Sequence, residues 1–263
     1  MKRSWLPPLS LIFCLAFLYL PLAEIFVGSV NNSRFGGPWR GFTWDHYRRV
    51  FGDREILSCL ENTLAIAVAA TAISMTLGTL AAFALHRHRG RLQFLHHALI
   101  YTPLVVPEIL MGMSLLLFFA SLGAELGFWT ILAGHITFCL SYVAMTVLSR
   151  LQDFDFTLVD AARDLGAGNW QAIRKILLPL LMPGILAGGL LAFTLSLDDF
   201  VVTFFISGPA SKTLPIYIFS SIKHGSPTKL NALSALLLIV TFLAVVLGRR
   251  LGGRRSAGES RPG

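Results

Sequence analysis

Four stretches of this chain, residues 64–85, 126–149, 176–197 and 230–248, each run for nineteen or more residues without one Asp, Glu, Lys or Arg. Each is close to the ~20 residues that a helix needs to cross the hydrocarbon core of a bilayer. Lipid offers no hydrogen-bond partner to an open backbone, so such runs must satisfy themselves as helices, and they are too long for barrel strands. Two further runs, 6–30 and 98–122, are interrupted only by Glu24 and Glu108. The expected fold is therefore an all-α polytopic membrane protein with six transmembrane helices. Composition agrees, with 14% charged residues where a soluble domain carries roughly 25%.

Lys2 and Arg3 ahead of the first run also suit a secretory signal. The apolar stretch is too long for one, and no small-x-small cleavage site follows Pro21, so it is read as a retained span. Orientation follows from where Lys and Arg collect beside the spans. With the N-terminus inside, the inner face receives Lys2, Arg3, Arg87, Arg89, Arg91, Arg150, Arg163, Arg174, Lys175, Arg249, Arg250, Arg254, Arg255 and Arg261. The outer face receives Arg34, Arg40, Arg48, Arg49, Arg54, Lys212, Lys223 and Lys229. This bias of fourteen to eight places both termini in the cytoplasm. The net charge of +8 is then explained by attraction to anionic membrane lipid, with no need for nucleic acid.

No catalytic or metal centre is legible. Cys14, Cys59 and Cys139 are odd in number and scattered, which suits neither a disulfide framework nor a thiolate site. His86, His88, His96 and His97 crowd one inner loop among arginines without a nearby acid, as in a cationic interfacial loop. The loop 207–213 has a glycine but lacks the others that a phosphate-binding loop requires. Neither G-x-S-x-G nor H-E-x-x-H occurs. No cofactor is expected within this chain, and any energy source must come from a partner.

One polar, helix-forming interval, 160–179, is wedged between apolar runs. Thr157 is a plausible N-cap with the Asp160 carboxylate in the first turn, where the helix dipole favours it. Leu158, Ala161, Ala162 and Leu165 recur at helical spacing, and Gly166 supplies the left-handed residue that ends a helix. Asn169 can cap a second helix that carries Trp170, Ile173 and Ile176 toward Pro179. From the residues alone, this amphipathic segment either docks a partner or simply stitches two spans together.

Asp160, Ala161, Ala162, Gly166, Ile176, Leu178 and Pro179 fit the pattern E-A-A-x3-G-x9-I-x-L-P, with Asp in place of the leading Glu. This resembles the cytoplasmic loop of permease subunits in binding-protein-dependent ABC importers. The resemblance extends over most of 58–248, beginning with N-T-L at 62–64. Several stretches look closest to the second permease of spermidine/putrescine importers: P-L-V-V-P-E-I at 103–109, T-L-S-L-D-D-F-V-V at 194–202, S-G-P at 207–209, T-L-P at 213–215 and N-A-L at 231–233.

The resemblance implies a type I, MetI-like permease fold whose residues 160–179 form a helix seated in a groove of an ATPase subunit. It implies two ATPase copies that bind the ATP, a second permease, an extracytoplasmic binding protein docking on loops 31–61 and 207–229, and residence in a bacterial inner membrane. On this reading residues 1–57 are a first helix and outer loop, 58–250 the permease core with its coupling loop at 150–179, and 251–263 a basic tail. The cargo is expected to be a polyamine, with another organic cation, an amino-acid-like compound or an iron chelate as alternatives. An ion-driven carrier or channel using Glu108 is the alternative from another class, and the lack of a visible internal repeat counts against it.

Carboxylates at membrane depth cost at least ~2.5 kcal/mol and normally face a cavity or a partner. Glu108, Asp198 and Asp199 are therefore expected to line or flank a cation route, with Phe200, Phe204, Phe205 and Tyr217 providing aromatic surface. Capping or ion pairing with Lys212 or Lys223 is the structural alternative for the aspartates. Counting along straight helices at 1.5 Å per residue sets Glu108 ~15 Å deep and the aspartates near the outer mouth. Pro103 and Pro107 are expected to bracket a kink in the third span.

Overall fold

The computed structural model describes residues 6–33, 37–87, 90, 92–224 and 227–256. Lys2, Arg3, Arg34, His88, Arg89, Arg91, Arg261 and the end of the basic tail lie outside the described residues. The chain divides into two compact units, Met1–Leu57 with Ile218–Gly263, and Ser58–Tyr217. Among the described residues there is no strand; an isolated bridge joins Asn31 to Phe42.

In the first unit, α1 (Leu6–Val30) and α2 (Asp45–Gly52) both pack on α12 (Pro227–Ser256). α1 is apolar all round, and Leu9, Phe13 and Phe17 are exposed, as befits a helix whose solvent is lipid. The sixth expected run lies in α12, with Pro227–Leu243 as its apolar stretch. Asn31 organises the outer loop: its amide donates to the Gly37 and Pro38 carbonyls, and its Oδ1 accepts the Arg40 amide at 2.8 Å. Asp53 ends the loop. One carboxylate oxygen takes the Glu55 and Ile56 amides, capping the next helix, and the other pairs with Lys229. Partial burial alone would raise the Asp53 pKa; the Lys229 ammonium and the two amides outweigh it and hold the carboxyl below the usual 3.8.

The second unit contains most of α3 (Arg54–Arg87), then α4 (Gln93–Val105), α5 (Glu108–Ser121), α6 (Phe128–Gln152), α7 (Thr157–Asp164), α8 (Asn169–Ala172), α9 (Leu178–Asp198), α10 (Val201–Ile206) and the start of α11 (Leu214–His224). A π-helical turn, Ile173–Leu177, joins α8 to α9, so Asn169–Asp198 is one continuous span. Pro179 explains the widened turn: it cannot donate to the Lys175 carbonyl, and its ring would crowd that group. α6 is the axis of the unit. Ile131, Cys139, Val143, Ala144, Val147 and Leu151 on it are fully buried.

α9 lies antiparallel against α6, and small residues at 184, 188 and 192 form the seam. Gly184 meets the stem of Arg150, Gly188 meets Val143 and Thr146, and the Ala192 carbonyl accepts the Cys139 thiol. In lipid no hydrophobic force draws helices together, so close approach through small side chains supplies the contact energy. α3 joins the seam at Gly78, where an added Cβ would sit 2.9 Å from the Val143 Cβ and 3.0 Å from the Leu140 carbonyl.

The third expected span is not one kinked helix. α4 and α5 meet at 111°. Pro103 stays inside α4, and the break falls at Val106, which is extended as the residue before a proline must be, with Pro107 opening α5. The loop 207–229 holds a helix of its own, α11.

Two outcomes follow. Gly78→Ile is expected to destabilise the detergent-solubilised protein by about 1–3 kcal/mol, the usual cost of overpacking. Gly52→Ala, where nothing lies within 4 Å, is the control in the same thermal unfolding assay. Asp53→Ala should cost about 1 kcal/mol through the lost cap. Because the folded pKa of Asp53 is depressed, its stabilisation is complete above pH 3.8 and fades as pH falls through the lower folded value. The difference in melting temperature between native and Asp53→Ala proteins should therefore shrink below pH 3.8.

Candidate functional site

The break between α4 and α5, the end of α9 and the start of α10 enclose a cavity of about 240 Å³. Its lining includes Glu108, Asp198, Asp199, Phe200, Phe138 and Tyr142. All three acids and one aromatic expected on a cation route are thus brought together, while Tyr217 is buried in α11 and is not among the lining residues. Straight-helix counting separated Glu108 from the aspartates by depth; the 111° bend removes that premise, and α5 packs instead on α10.

The acids differ in setting. Glu108 is the first residue of α5, follows Pro107, and is exposed. Asp198 is the last residue of α9 and is also exposed. Asp199 has a side chain only 7% exposed. Its backbone turns extended (φ −60°, ψ 121°), ending α9, and its carboxylate caps α10. Oδ1 accepts the Val202 amide, and Oδ2 accepts both the amide and the hydroxyl of Thr203 at 2.8 and 2.7 Å. The alternative to lining the route was that the aspartates cap a helix or pair with Lys212 or Lys223, and Asp199 does cap, though its ion-pair partner is neither lysine. Instead, His135 of α6 stands 3.3 Å away and is fully buried.

Sequence reading passed over His135, Phe138 and Tyr142. The available signal was one imidazole in the otherwise uncharged run 126–149, since a titratable group at such depth needs a partner. Phe138 and Tyr142 carry no such mark, and only the helix register reveals them.

The second region is the connection from α6 to α9. The expected caps each move by one residue. Thr157 is the first residue of α7, and the Asp155 carboxylate accepts its amide at 3.0 Å. Thr157 hydrogen bonds hold the exposed Asp155 carboxyl below the usual 3.8. Gly168, not Asn169, precedes α8, with the Gln171 side chain accepting its amide. Gly166 closes α7 as expected, at φ +90°, with the Gly166 amide bonded to Arg163 and the Ala167 amide to Ala162. The side chains also sort differently. Val159 is buried and Phe156 stacks on His86 at 5.0 Å, whereas Leu158, Ala161 and Leu165 are exposed, Leu165 by 91%. Asp160 is exposed and paired with Arg163, and Ile176 and Leu178 are half-buried beside exposed Pro179. The apolar face read from spacing is therefore the outer one, and Val159 is the residue that anchors the helix.

Residues 74–255 match the model of a protein family described as binding-protein-dependent transport system inner membrane component. The chain is 40% identical over 245 residues to the spermidine/putrescine transport system permease protein PotC of Escherichia coli (strain K12), covering 93% of both chains. It is 39% identical over 258 residues to the putrescine transport system permease protein PotI of the same strain, covering 93% of this chain and 91% of that one. Among solved structures, that of a bacterial ABC transporter involved in the import of the acidic polysaccharide alginate superposes with a TM-score of 0.74. At 17% identity over 93% of this chain and 94% of that one, it shares the fold. With its spans, its broken third helix and its ordered α6–α9 connection, the chain belongs to the family of inner membrane components of binding-protein-dependent transport systems.

Proposed function

We propose that this chain forms half of the translocation path of an ATP-driven importer for polyamines of the putrescine and spermidine class. The observation that carries the substrate is the cavity itself, where exposed Glu108 and Asp198 face a space also bounded by Phe138, Tyr142 and Phe200. A linear polyamine offers ammonium groups joined by short methylene chains. Separate carboxylates suit the charges, and aromatic faces suit both the chains and, through cation–π attraction, the ammonium groups. The relatives named for spermidine and putrescine support the same substrate class.

The α6–α9 connection is the coupling element of this reading. Leu158, Ala161 and Leu165 are apolar and exposed on a short helix whose other side is anchored by Val159 and Phe156. Such a face fits a groove in an ATPase subunit, which hydrolyses ATP while this chain does no chemistry. The excess of Lys and Arg on the same side supports a cytoplasmic position for this loop and for both termini. A second permease, two ATPase copies and an extracytoplasmic binding protein complete the assembly. Alternating access then follows if ATPase closure bears on α7 differently in the two states, as any driven switch requires.

Two measurements test this. In reconstituted transporter, Glu108→Gln with Asp198→Asn should lower ATP-driven uptake of labelled putrescine and spermidine at least about tenfold, each lost charge-assisted contact being worth that much. Unchanged uptake by the correctly assembled double variant would sink the cation path. Leu165→Asp and Ala161→Arg should each reduce ATPase co-purification and uptake by about tenfold or more, as expected for residues at the centre of an interface. Full ATPase retention and uptake in both would remove α7 from the coupling role.

A further inference from the structure

A buried polar chain backs the cavity and crosses three helices. His135 of α6 places Nδ1 2.7 Å from Ser196 Oγ on α9. Its Nε2 lies 2.9 Å from Thr203 Oγ1 on α10 and 3.3 Å from Asp199 Oδ2. His135, Ser196 and Thr203 are at most 2% exposed. The Thr203 hydroxyl donates its single hydrogen to Asp199, so toward His135 it can only accept. Nε2 therefore carries a hydrogen in both the neutral and the protonated ring, an assignment made from the network. Ser196 then donates to Nδ1 of a neutral ring or accepts from an imidazolium.

This arrangement engages most of Asp199. A carboxylate offers about four lone-pair sites. Three are taken, by the Val202 amide on Oδ1 and by the Thr203 amide and hydroxyl on Oδ2, and the His135 Nε2 hydrogen, shared with Thr203 Oγ1, stands on a nitrogen 3.3 Å from Oδ2. An incoming ammonium would find Oδ2 crowded and one site left on Oδ1, on a side chain only 7% exposed, and drawing it out would loosen the cap of α10. Asp198 and Glu108 are exposed to the cavity and lie at helix ends, with no such set of donors described for either. The same lock sets where Asp198 stands, because the turn between α9 and α10 begins at Asp199.

We propose that His135 is a positioning residue for the cation site: with Ser196 and Thr203 it locks Asp199 into the α9–α10 turn, leaving Asp198 and Glu108 to bind two of the substrate's ammonium groups. This division of roles rests on reading the cavity as the cation path. It separates two neighbouring acids that sequence alone treats alike.

The test uses the complete transporter with Cys14→Ser, since Cys14 is the exposed native thiol while Cys59 and Cys139 are buried. Val201→Cys serves as a reporter, because Val201 lines the cavity and is the first residue of α10. Its rate of modification by the uncharged methyl methanethiosulfonate is measured with and without 1,4-diaminobutane.

Asp198→Asn and Glu108→Gln should each leave the substrate-free rate within about twofold and raise the diamine concentration needed for protection by about tenfold. His135→Ala and Asp199→Asn should each change the substrate-free rate by about tenfold, and the double variant should do no more than either alone. His135→Gln, whose amide can replace the Nε2 donor, should restore it; His135→Asn, which is one bond shorter, should not.

Loss of protection in Asp199→Asn with a native substrate-free rate would make Asp199 a substrate ligand and overturn the proposal. So would a native rate in His135→Ala, or equal behaviour of the Gln and Asn variants. Should His135→Ala fail to assemble, the Gln and Asn pair still decides. If diamine gives no protection even with all acids native, the cation-path reading fails instead, while the coupling of His135 to Asp199 in the substrate-free rate is still measured.

Discussion

The close seam between α6 and α9 is the contact on which the rest of the second unit depends. Gly184, Gly188 and Ala192 let the two backbones approach, and that approach sets an antiparallel register in which Arg150, Val143 and Cys139 face them in turn. One step further along the same register, His135 meets Ser196. The polar junction below the cavity is thus a continuation of the packing seam. A bulkier residue in the seam would displace the junction as well as the helices, because tightly packed interiors transmit rather than absorb such changes.

The cavity exists because two helices stop short. Pro107 denies α4 a continuous hydrogen-bond ladder, and the extended backbone at Asp199 ends α9. Both breaks leave backbone and carboxylate groups at membrane depth, which is tolerable only where protein or a water-filled space receives them. Asp199 shows how one side chain serves both needs, since it terminates one helix and caps the next while His135 keeps its charge from being orphaned. At the other end of α9, the loop from α6 follows the same economy. Val159 and Phe156 anchor α7 inward, so Leu158 and Leu165 remain exposed.

Much of this was legible beforehand because the constraints are local. Six apolar runs, the left-handed Gly166, the helical interval 157–166 and the set Glu108, Asp198 and Asp199 all follow from composition, spacing and the cost of charge in lipid. What failed did so for physical reasons. Both helix caps shifted by one residue: Asp155 accepts the Thr157 amide, with Thr157 the first residue of α7, and Gln171 accepts the amide of Gly168, the residue before α8. Periodicity found the apolar stripe of α7 without saying what covers it, and the structure leaves Leu158, Ala161 and Leu165 exposed. Depth counting failed because it assumed a straight third span.

The sequence by itself determined the class of the molecule, the spans, the polar helical segment between two of them and the presence of acids where acids are costly. These depend on each residue's own transfer energy and on hydrogen bonds within a few residues. The tertiary structure decided that Glu108 and Asp198 share one space, that Asp199 belongs to the framework, and that His135 is its partner. Those assignments depend on residues 61 and 68 positions apart meeting at hydrogen-bond distance. No local propensity encodes that meeting. It is set by how closely glycines let α6 and α9 pack and by the angle at which the helices around them break.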